Sequence, residues 1–431
     1  MISQILFFLI TFTAIGMFTL NLKKMIRNIR LGKHADRTDQ PKRRLMLMLR
    51  VAFGQSKMSI HPIPAVLHLI VYLGFIIVNI EVLEILLDGL FGTHRIFFPL
   101  GIYYNVLIGA FEVFAFAVWF SCLAFLIRRT IINLKRFRGV EMTTWPRSDA
   151  NLILIMEILL MSAFILMNGA DAKLQVLGSK HYVLAGSFPV SEFLFPILPV
   201  SEASLILLER SCWWFHIIGI FIFLNYLPYS KHIHIFFAFP NTYFSKLGPV
   251  GTMANMSAIT TEVKIMMDSS FVPGPIDPGK FGARDVLDLS WINLMNAYTC
   301  TECGRCTSVC PANITGRLLS PRKIMMATRD RITEVGANLD KHGPDFDDGK
   351  SLLDDYISRE EIWACTSCSA CVQECPINID PLSIIMELRR YAVMEESSAP
   401  ASLNMMLNNI ENNQAPWKYA AADRFNWAKK D

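Results

Sequence analysis

Cys300-Thr-Glu-Cys303-Gly-Arg-Cys306-Thr-Ser-Val-Cys310-Pro311 is one of two cysteine motifs in the chain, and Cys365-Thr-Ser-Cys368-Ser-Ala-Cys371-Val-Gln-Glu-Cys375-Pro376 is the other. Both have the spacing C-x2-C-x2-C-x3-C-P, which is typical of proteins that hold pairs of [4Fe-4S] clusters. Three closely spaced thiolates bind one cluster, and the fourth cysteine of each run binds the other cluster. Structural zinc prefers two separated C-x2-C pairs, so the spacing argues against zinc.

The eight motif cysteines divide into two predicted ligand sets, one for each [4Fe-4S] cluster. The first set is Cys300, Cys303, Cys306 and Cys375. The second set is Cys365, Cys368, Cys371 and Cys310. The two remaining cysteines, Cys122 and Cys212, lie alone in apolar stretches, and we expect them to be small buried apolar side chains.

The segment between the two motifs is longer than in a compact, strand-rich ferredoxin, and it carries helix signals. Ser320–Arg331 places Pro321 in a first-turn position, and Ser358–Trp363 is a second helix-prone stretch. These features predict an α-helical ferredoxin domain over residues 290–395.

The chain as a whole is unusually apolar. Of its 431 residues 52% are hydrophobic and 18% are charged, against about 25% charged in an average soluble domain. This composition excludes an ordinary soluble enzyme, a fibrous protein and a disordered one. A transmembrane helix needs about 20 mostly apolar residues. The stretches that meet this requirement are 3–20, 63–87, 102–127, 150–168 and 204–229.

Basic residues in the connecting loops predict the orientation in the membrane. Residues 21–62 carry eleven Lys and Arg and residues 128–147 carry six, whereas 88–101 carry one and 169–203 carry two. Because basic loops stay in the cytoplasm, the N-terminus is expected outside and the cysteine region inside. We therefore expect a multi-pass protein of the bacterial cytoplasmic (inner) membrane. The first apolar stretch lacks a basic start and a cleavage site, so it is interpreted as an anchor.

The predicted fold is all-α, with a five-helix transmembrane bundle followed by a cytoplasmic ferredoxin domain. The predicted regions are a membrane domain (1–240), a linker rich in Pro and Gly (241–289), the ferredoxin domain (290–395) and a polar tail (396–431). The net charge of +4 gives no indication of nucleic-acid binding. The sequence also lacks a dinucleotide-binding glycine signature and a P-loop, so we expect no nicotinamide or nucleotide on this chain.

Histidines inside the predicted spans are functional candidates, because ionisable groups in a membrane are costly. His68 lies in the second span and His216 in the fifth. Eighteen residues make five helical turns, so His216 and His234 share a face if that helix continues. His61 lies about two turns before His68 and is expected to share its face, unless Pro62 and Pro64 keep His61 off the helix. The pattern favours one or two haems b, the deeper one held by His68 and His216 and the other by His61 and His234.

Other interpretations of the histidines stay open at this point. His232 is an alternative to His234, and interfacial His and Lys side chains can simply reach the headgroups. His94 and His181 are expected on the outer side, either solvated or lining an outer quinone pocket.

Cys300–Arg317 (CTECGRCTSVCPANITGR), followed by Ser320–Lys323, resembles the iron–sulfur subunits of heterodisulfide reductases and anaerobic glycerol-3-phosphate dehydrogenases. The five-span part, with histidines in spans two and five, resembles the nitrate reductase gamma subunit and the cytochrome b subunit of heterodisulfide reductase. Together they resemble fused haem/iron–sulfur membrane proteins. The resemblance implies electron transfer between a cytoplasmic partner and menaquinone through two [4Fe-4S] clusters and one or two haems b.

The stretch from Asn408 to Trp427 resembles the connector that precedes a cysteine-rich CCG domain in fused relatives. No CCG sequence occurs up to Asp431, so we expect a docking tail for a separate CCG-domain or dehydrogenase subunit, against a merely disordered tail. Two alternative functions remain: a haem-free membrane-bound ferredoxin-type assembly factor or metal-ion reductase, and a scaffold that anchors a soluble dehydrogenase.

Overall fold

The computed structural model describes residues 2–268, 270–274 and 279–429. Within these ranges the chain forms helices and no β-strand, which confirms the all-α prediction. Pro275, Asp277 and Pro278 of the predicted linker, and the last two residues of the predicted tail, lie outside the described residues.

The helices of the first half are α1 (Ile2–Arg30), α2 (Pro41–Met48), α3 (Pro62–Phe91), α4 (Ile102–Thr130), α5 (Thr144–Val176), α6 (Glu202–Tyr226) and α7 (His234–Tyr243). Among the described residues, five helices (α1 and α3 to α6) are long and apolar enough to cross a bilayer. They coincide with the five predicted spans. The first four extend beyond their apolar stretches, because polar end turns continue the helix, whereas α6 ends at Tyr226, three residues before its stretch ends.

The membrane helices pack in a closed arrangement. α3 packs on α4, α4 on α5 and α5 on α6, and α1 contacts both α3 and α6. Large apolar side chains fill the centre, among them Phe7, Phe111, Phe164 and Ile217, each at most 1% exposed. Packing in this centre fixes the relative positions of polar residues at both ends of the bundle.

The fifth span does not continue to His234, which was the condition for His216 and His234 to share a helix face. α6 ends at Tyr226, two 3₁₀ turns follow (Leu227–Tyr229 and Lys231–Ile233), and α7 begins at His234. Pro228 has no N–H to donate to the preceding turn, so it stops the α-helix. His216 and His234 therefore belong to different helices and do not share one helix face.

The helices of the second half are α8 (Ser257–Met267), α9 (Trp291–Thr299), α10 (Arg305–Ser308), α11 (Pro311–Ile314), α12 (Pro321–His342), α13 (Arg359–Ala364), α14 (Ala370–Glu374), α15 (Pro381–Met394) and α16 (Ala401–Asn413). Both predicted inter-motif helices are confirmed. Ser320 Oγ accepts the Lys323 N–H at the start of α12, and Ser358 forms a reciprocal capping box with Glu361 at the start of α13.

One apolar core joins the base of the membrane bundle to the cysteine region. It includes Ile29 of α1, Phe237 of α7, Leu294 of α9 and Ile332 of α12. A Cβ on Gly336 of α12 would lie 2.4 Å from the Asn28 amide of α1, so the close approach of these two helices requires glycine. The core is continuous across the predicted boundary at residue 240, and that boundary stays a prediction.

Candidate iron–sulfur and histidine sites

The two cysteine motifs have the same backbone conformation. The residue before the second cysteine is left-handed in both, with φ of 54° at Glu302 and 56° at Ser367. The residue after the second cysteine is left-handed too, with φ of 74° at Gly304 and 61° at Ser369. Each motif then enters a short helix, α10 or α14, that carries its third cysteine. Two left-handed residues turn the chain sharply, so three thiols of each motif converge.

The structure places the eight thiols in two groups. Cys306 interacts electrostatically with Cys303, Cys300 and Cys375. Cys371 interacts with Cys365 and Cys310, and Cys365 also interacts with Cys368. The groups have the same members as the two predicted ligand sets, and Cys306 and Cys371 interact across the boundary between them.

Across the described residues, no group of three or more His, Cys, Asp or Glu side chains surrounds a single metal-ion position. In a four-iron cluster each cysteine binds a different iron, so grouped sulfurs need not share one position.

Cys300 and Cys310 are buried, Cys368 is exposed, and the other motif cysteines are half-buried. Burial is the largest influence on the pKa of the thiols that it encloses. It raises the pKa of Cys300 and of Cys371 to about 12, and that of Cys375 to about 11. Metal binding at these thiols therefore releases protons, and the metal's charge must compensate buried thiolates. Backbone N–H groups help: Ser367 donates to Cys365 Sγ at 3.4 Å, and Ile379 donates to Cys375 Sγ at 3.3 Å. Such bonds stabilise negative charge on sulfur and tune the reduction potential.

Basic loop residues of the membrane part contact the cysteine region directly. Lys57 Nζ donates to the carbonyls of Val372 at 3.3 Å and of Cys375 at 3.2 Å. Arg322 of α12 donates from Nη1 to the Arg136 carbonyl at 2.7 Å and from Nε to Glu141 Oε1 at 2.8 Å. The basic loops thus hold the cysteine region against the bundle, a role that the sequence interpretation as topology signals missed.

A buried ion network lies beside the first cysteine motif. The Glu302 carboxylate, 4% exposed, pairs with Lys231 on one oxygen and accepts from Arg329 Nη2 at 2.7 Å on the other. The two cations lower the pKa of Glu302 against the opposing effect of burial, which is the largest single influence. Lys231 comes from the turn before α7 and Arg329 from α12, so Glu302 links the membrane part to the cysteine region.

The histidine candidates separate into two places. His68 of α3 donates from Nδ1 to Gln55 Oε1 at 3.1 Å, and it interacts electrostatically with His234. The His232 and His234 rings lie 5.3 Å apart, and His232 also interacts with His68. His68 interacts as well with Arg305, which stands between two motif cysteines. These three histidines therefore gather at the end of the bundle nearest the cysteine region.

His216 lies deeper, in the middle of α6, and is fully buried beside Phe164. Its Nδ1 lies 2.9 Å from the Leu160 carbonyl, which can only accept, so Nδ1 carries the proton and Nε2 keeps a free lone pair. Nε2 is buried and has no hydrogen-bond partner in the described part of the chain. His234 likewise donates from Nδ1, to the Lys231 carbonyl at 3.1 Å. Histidines that ligate metals are oriented in this way.

His61 lies elsewhere. It precedes α3 in an extended conformation, so the prediction that His61 and His68 share one helix face is wrong. The cause is Pro62, which starts the helix. The His61 side chain is 44% exposed, and its Nε2 lies 2.8 Å from Glu374 Oε1 of α14.

Sequence reasoning missed a cluster of buried charged residues at the opposite end of the bundle. Its carboxylates include Glu81, Glu84, Asp171 and Glu209, each 2% exposed, together with Arg95, 5% exposed. The signal was available, because three of these carboxylates lie inside predicted apolar spans and Asp171 lies just after one, where charged residues are rare. His94, expected on the outer side, lies in this cluster; His181 is exposed.

Residues 299–379 match the family model of the 4Fe-4S dicluster domain. The chain therefore carries an iron–sulfur domain of that class on a membrane bundle.

Among its relatives, the probable iron–sulfur-binding oxidoreductase FadF of Bacillus subtilis is 28% identical over 99% of this chain and 60% of its own length. The EtfAB:quinone oxidoreductase of Syntrophomonas wolfei is 29% identical over 53% of this chain and 32% of its own length. One of the subunits of a CoB–CoM heterodisulfide reductase of Methanosarcina acetivorans is 29% identical over 27% of this chain and 60% of its own length.

The chain spans 60% of the first of these relatives and about a third of the second. The similarity to heterodisulfide reductase confirms that part of the resemblance noted for the cysteine region. No solved structure gives a significant match.

Proposed function

We propose that this chain is the membrane subunit of an electron-transfer complex that works between a cytoplasmic partner and menaquinone. The observation that carries the proposal is the position of the two thiol groups, which lie against the base of a membrane bundle and share its apolar core. Iron–sulfur clusters and haem b supply one-electron transfer when bound. The printed names of two relatives, an iron–sulfur oxidoreductase and a quinone oxidoreductase, support this assignment.

The proposed iron–sulfur ligands are the two cysteine sets. One cluster is assigned to Cys300, Cys303, Cys306 and Cys375. The other is assigned to Cys365, Cys368, Cys371 and Cys310. The interaction of Cys306 with Cys371 supports a side-by-side arrangement of the two sets, which suits transfer from one cluster to the next.

The histidine arrangement fits axial ligation of haem b and changes the pairing that the sequence favoured. His216 offers a buried lone pair on Nε2, with the ring orientation fixed by the Leu160 carbonyl. His68 and His234, with His232 as an alternative, form a second group nearer the cysteines. We propose one haem at the His68/His234 group and His216 as the ligand of a deeper one. His61 contacts Glu374, so we do not propose His61 as a haem ligand.

The proposed orientation puts the dicluster domain in the cytoplasm, because the loops at that end of the bundle carry most of the Lys and Arg. A soluble partner would then meet the dicluster domain from the cytoplasm. We propose a CCG-domain or dehydrogenase subunit in that role. The polar tail is a candidate docking element, since Trp417, Phe425 and Trp427 are exposed.

The experiment is a metal and haem count on the purified chain. We expect about eight iron and eight acid-labile sulfide outside haem, and a b-type signal in the dithionite-reduced minus oxidised spectrum and in the pyridine haemochrome assay. His216→Ala and His68→Ala should lose haem. His181→Ala, on the exposed outer surface, is the matched control.

Each other outcome has a definite meaning. Full iron–sulfur loading without haem would overturn the haem assignment and favour the haem-free ferredoxin-type or metal-reductase function. Iron-free purified protein after anaerobic reconstitution would leave only the scaffold function.

A further inference from the structure

A cavity of about 260 Å³ opens at the end of the bundle opposite the dicluster domain. Ser3 and Phe7 of α1, Gly89 of α3, Asp171 of α5 and Trp213 of α6 line it. On α1, Phe7 is twenty residues before Arg27, whose guanidinium contacts Asp340 of α12, so the two ends are about 30 Å apart. That distance is the thickness of a bilayer's hydrocarbon core.

One side of the cavity is aromatic. The Phe7 ring lies 5.5 Å from the Trp213 ring and 6.0 Å from the Trp214 ring, and the two indoles lie 5.1 Å apart. Flat apolar surfaces of this kind accept a planar ring. The cavity volume is near the lower end of the range for small-molecule sites, roughly 300–1,000 Å³, so it suits a headgroup of one or two fused rings.

The other side is polar and incompletely satisfied. Glu81 is 2% exposed, and its Oε2 is buried with no hydrogen-bond partner among the residues that the structure describes. His94 also lines the cavity, and its Nδ1 is buried and unpartnered within the same described ranges. The Tyr182 ring packs edge-on against the His94 ring, with the ring centres 4.9 Å apart, and His94 Nε2 lies 3.7 Å from Asp171 Oδ2. Both groups can exchange a hydrogen bond with a ligand in the cavity.

Buried negative charge exceeds buried positive charge in the lining. The carboxylates there are Glu81, Glu84, Asp88, Asp171 and Glu209, and the guanidinium groups are Arg95 and Arg210. Arg95 donates to Asp171 at 2.5 Å but lies 3.7 Å from Glu81, and Arg210 pairs with Glu209. Uncompensated carboxylates at this depth are expensive unless they bind protons. Glu84 and Asp88 accept hydrogen bonds instead, so Glu81 is the lining carboxylate with capacity left to hold a proton beside the aromatic slot.

We propose that this cavity binds the headgroup of a membrane quinone and exchanges its two protons through Glu81 and His94. The inference rests on the proposed function, which supplies the electrons. In the reducing direction the quinone takes two electrons, one at a time, from the redox groups of the bundle and two protons from these side chains, and leaves as quinol. Outer water then restores the protons. The oxidising direction reverses every step.

A second cavity, of about 410 Å³, lies at the other end of the bundle and makes the proposal testable by location. His61, Pro62, Pro64, Arg128 and Arg136 line it, together with two apolar side chains. Its described lining contains two guanidinium groups and no carboxylate. It offers no aromatic slot and no store of protons, so we assign the quinone to the outer cavity.

The test uses the full chain with its clusters, purified in detergent, and an azido-naphthoquinone as photoaffinity probe. We expect adducts on peptides that contain Gly89–Arg95 or Trp213 and Trp214, displaced by excess menadione. Glu81→Gln should weaken labelling at least tenfold. Glu202→Gln is the matched control, because Glu202 is exposed at the same end of the bundle. His94→Gln carries the test if Glu81→Gln loses its clusters.

Two results would overturn the site. Adducts confined to the peptides of the second cavity, or labelling unchanged in both Glu81→Gln and His94→Gln, would place the quinone elsewhere. Failure of the proposed function is separable. If menadione does not reoxidise the dithionite-reduced clusters of the wild-type chain, and no probe adduct forms at all, the quinone assignment itself is wrong.

Discussion

The two ends of the membrane bundle bury charged residues in opposite ways. At the end that meets the dicluster domain, Glu302 is matched by Lys231 and Arg329, and Glu141 is matched by Arg322. Both of these networks join the membrane part to the cysteine region. At the other end, five carboxylates face two guanidinium groups, and a Glu81 oxygen lacks a partner in the described residues.

The difference separates two uses of buried charge. Matched pairs that bridge two regions hold them in register, and removing one partner leaves an uncompensated charge. An unmatched carboxylate beside a cavity contributes little to holding the fold and has capacity left for a ligand or a proton. The predictions below test this contrast through the melting temperature of the purified chain, followed by tryptophan fluorescence.

The largest effect is expected from Glu302→Leu. The substitution leaves Lys231 and Arg329 buried without their shared carboxylate, which costs about 3–5 kcal/mol. We expect a large drop in melting temperature and early loss of the cluster absorbance. Glu360→Leu, at an exposed position of α13, is the control. Equal melting temperatures for the two variants would contradict a holding role for the network.

Asp171→Asn is expected to have an intermediate effect. Asp171 accepts from Arg95 Nε at 2.5 Å and from Gln175 Nε2 at 3.1 Å, so the variant loses a charged hydrogen bond worth about 1.5–3 kcal/mol. Asp171, like Glu209 with Arg210, has a cationic partner at this end of the bundle. The melting temperature of Asp171→Asn should fall clearly below that of Glu202→Gln. A melting temperature equal to that of the wild-type chain would mean that Arg95 needs no partner.

Asp340→Asn should have a small effect. Asp340 pairs with Arg27, and both side chains are more than a third exposed, so the pair is worth about 0.2–1 kcal/mol after solvent screening. The hydrogen bond from Arg27 lowers the pKa of Asp340. The contribution of the Arg27–Asp340 pair to the stability of the fold is therefore present at neutral pH and is lost as the pH falls below about 4. Asp345→Asn, at an exposed position, is the control.

Glu81→Gln should leave the melting temperature unchanged or raise it slightly. Replacing a poorly compensated buried carboxylate by its neutral isostere removes a desolvation cost and little attraction. A drop as large as that of Asp171→Asn would mean that Glu81 is structural, and the contrast between matched and unmatched carboxylates would fail.

Hydropathy and cysteine spacing were sufficient to predict most of the architecture. The five spans, the helical dicluster region and the helices that begin near Ser320 and Ser358 follow local rules of length, apolar content and capping, and local rules can be recognised in one sequence. The positions of the histidines relative to one another could not be predicted, because they depend on where helices begin and end. Pro62 begins α3 after His61, and Pro228 ends α6 before His234.

Contacts between distant segments could not be predicted at all. Glu302 meets Lys231, and Lys57 meets Cys375, only because α1, α7, α9 and α12 pack into one core. The cluster of buried charged residues at the opposite end of the bundle had a signal in the sequence, namely isolated carboxylates in apolar stretches. What the sequence could not indicate is that residues from α3, α5, α6 and the loop holding Arg95 converge on one cavity.

Helix α1 carries Phe7 at the outer cavity and Arg27 against the dicluster domain. In the proposed orientation, every electron that passes between these ends moves one elementary charge through the membrane field, worth about 2.3 kcal/mol per 100 mV. Two electrons per quinone make about 4.6 kcal/mol at 100 mV. An inside-negative voltage then favours quinone reduction and opposes quinol oxidation. With the proposed orientation and quinone site, the length of this one helix would make the reaction electrogenic, and the membrane voltage would help to set its direction.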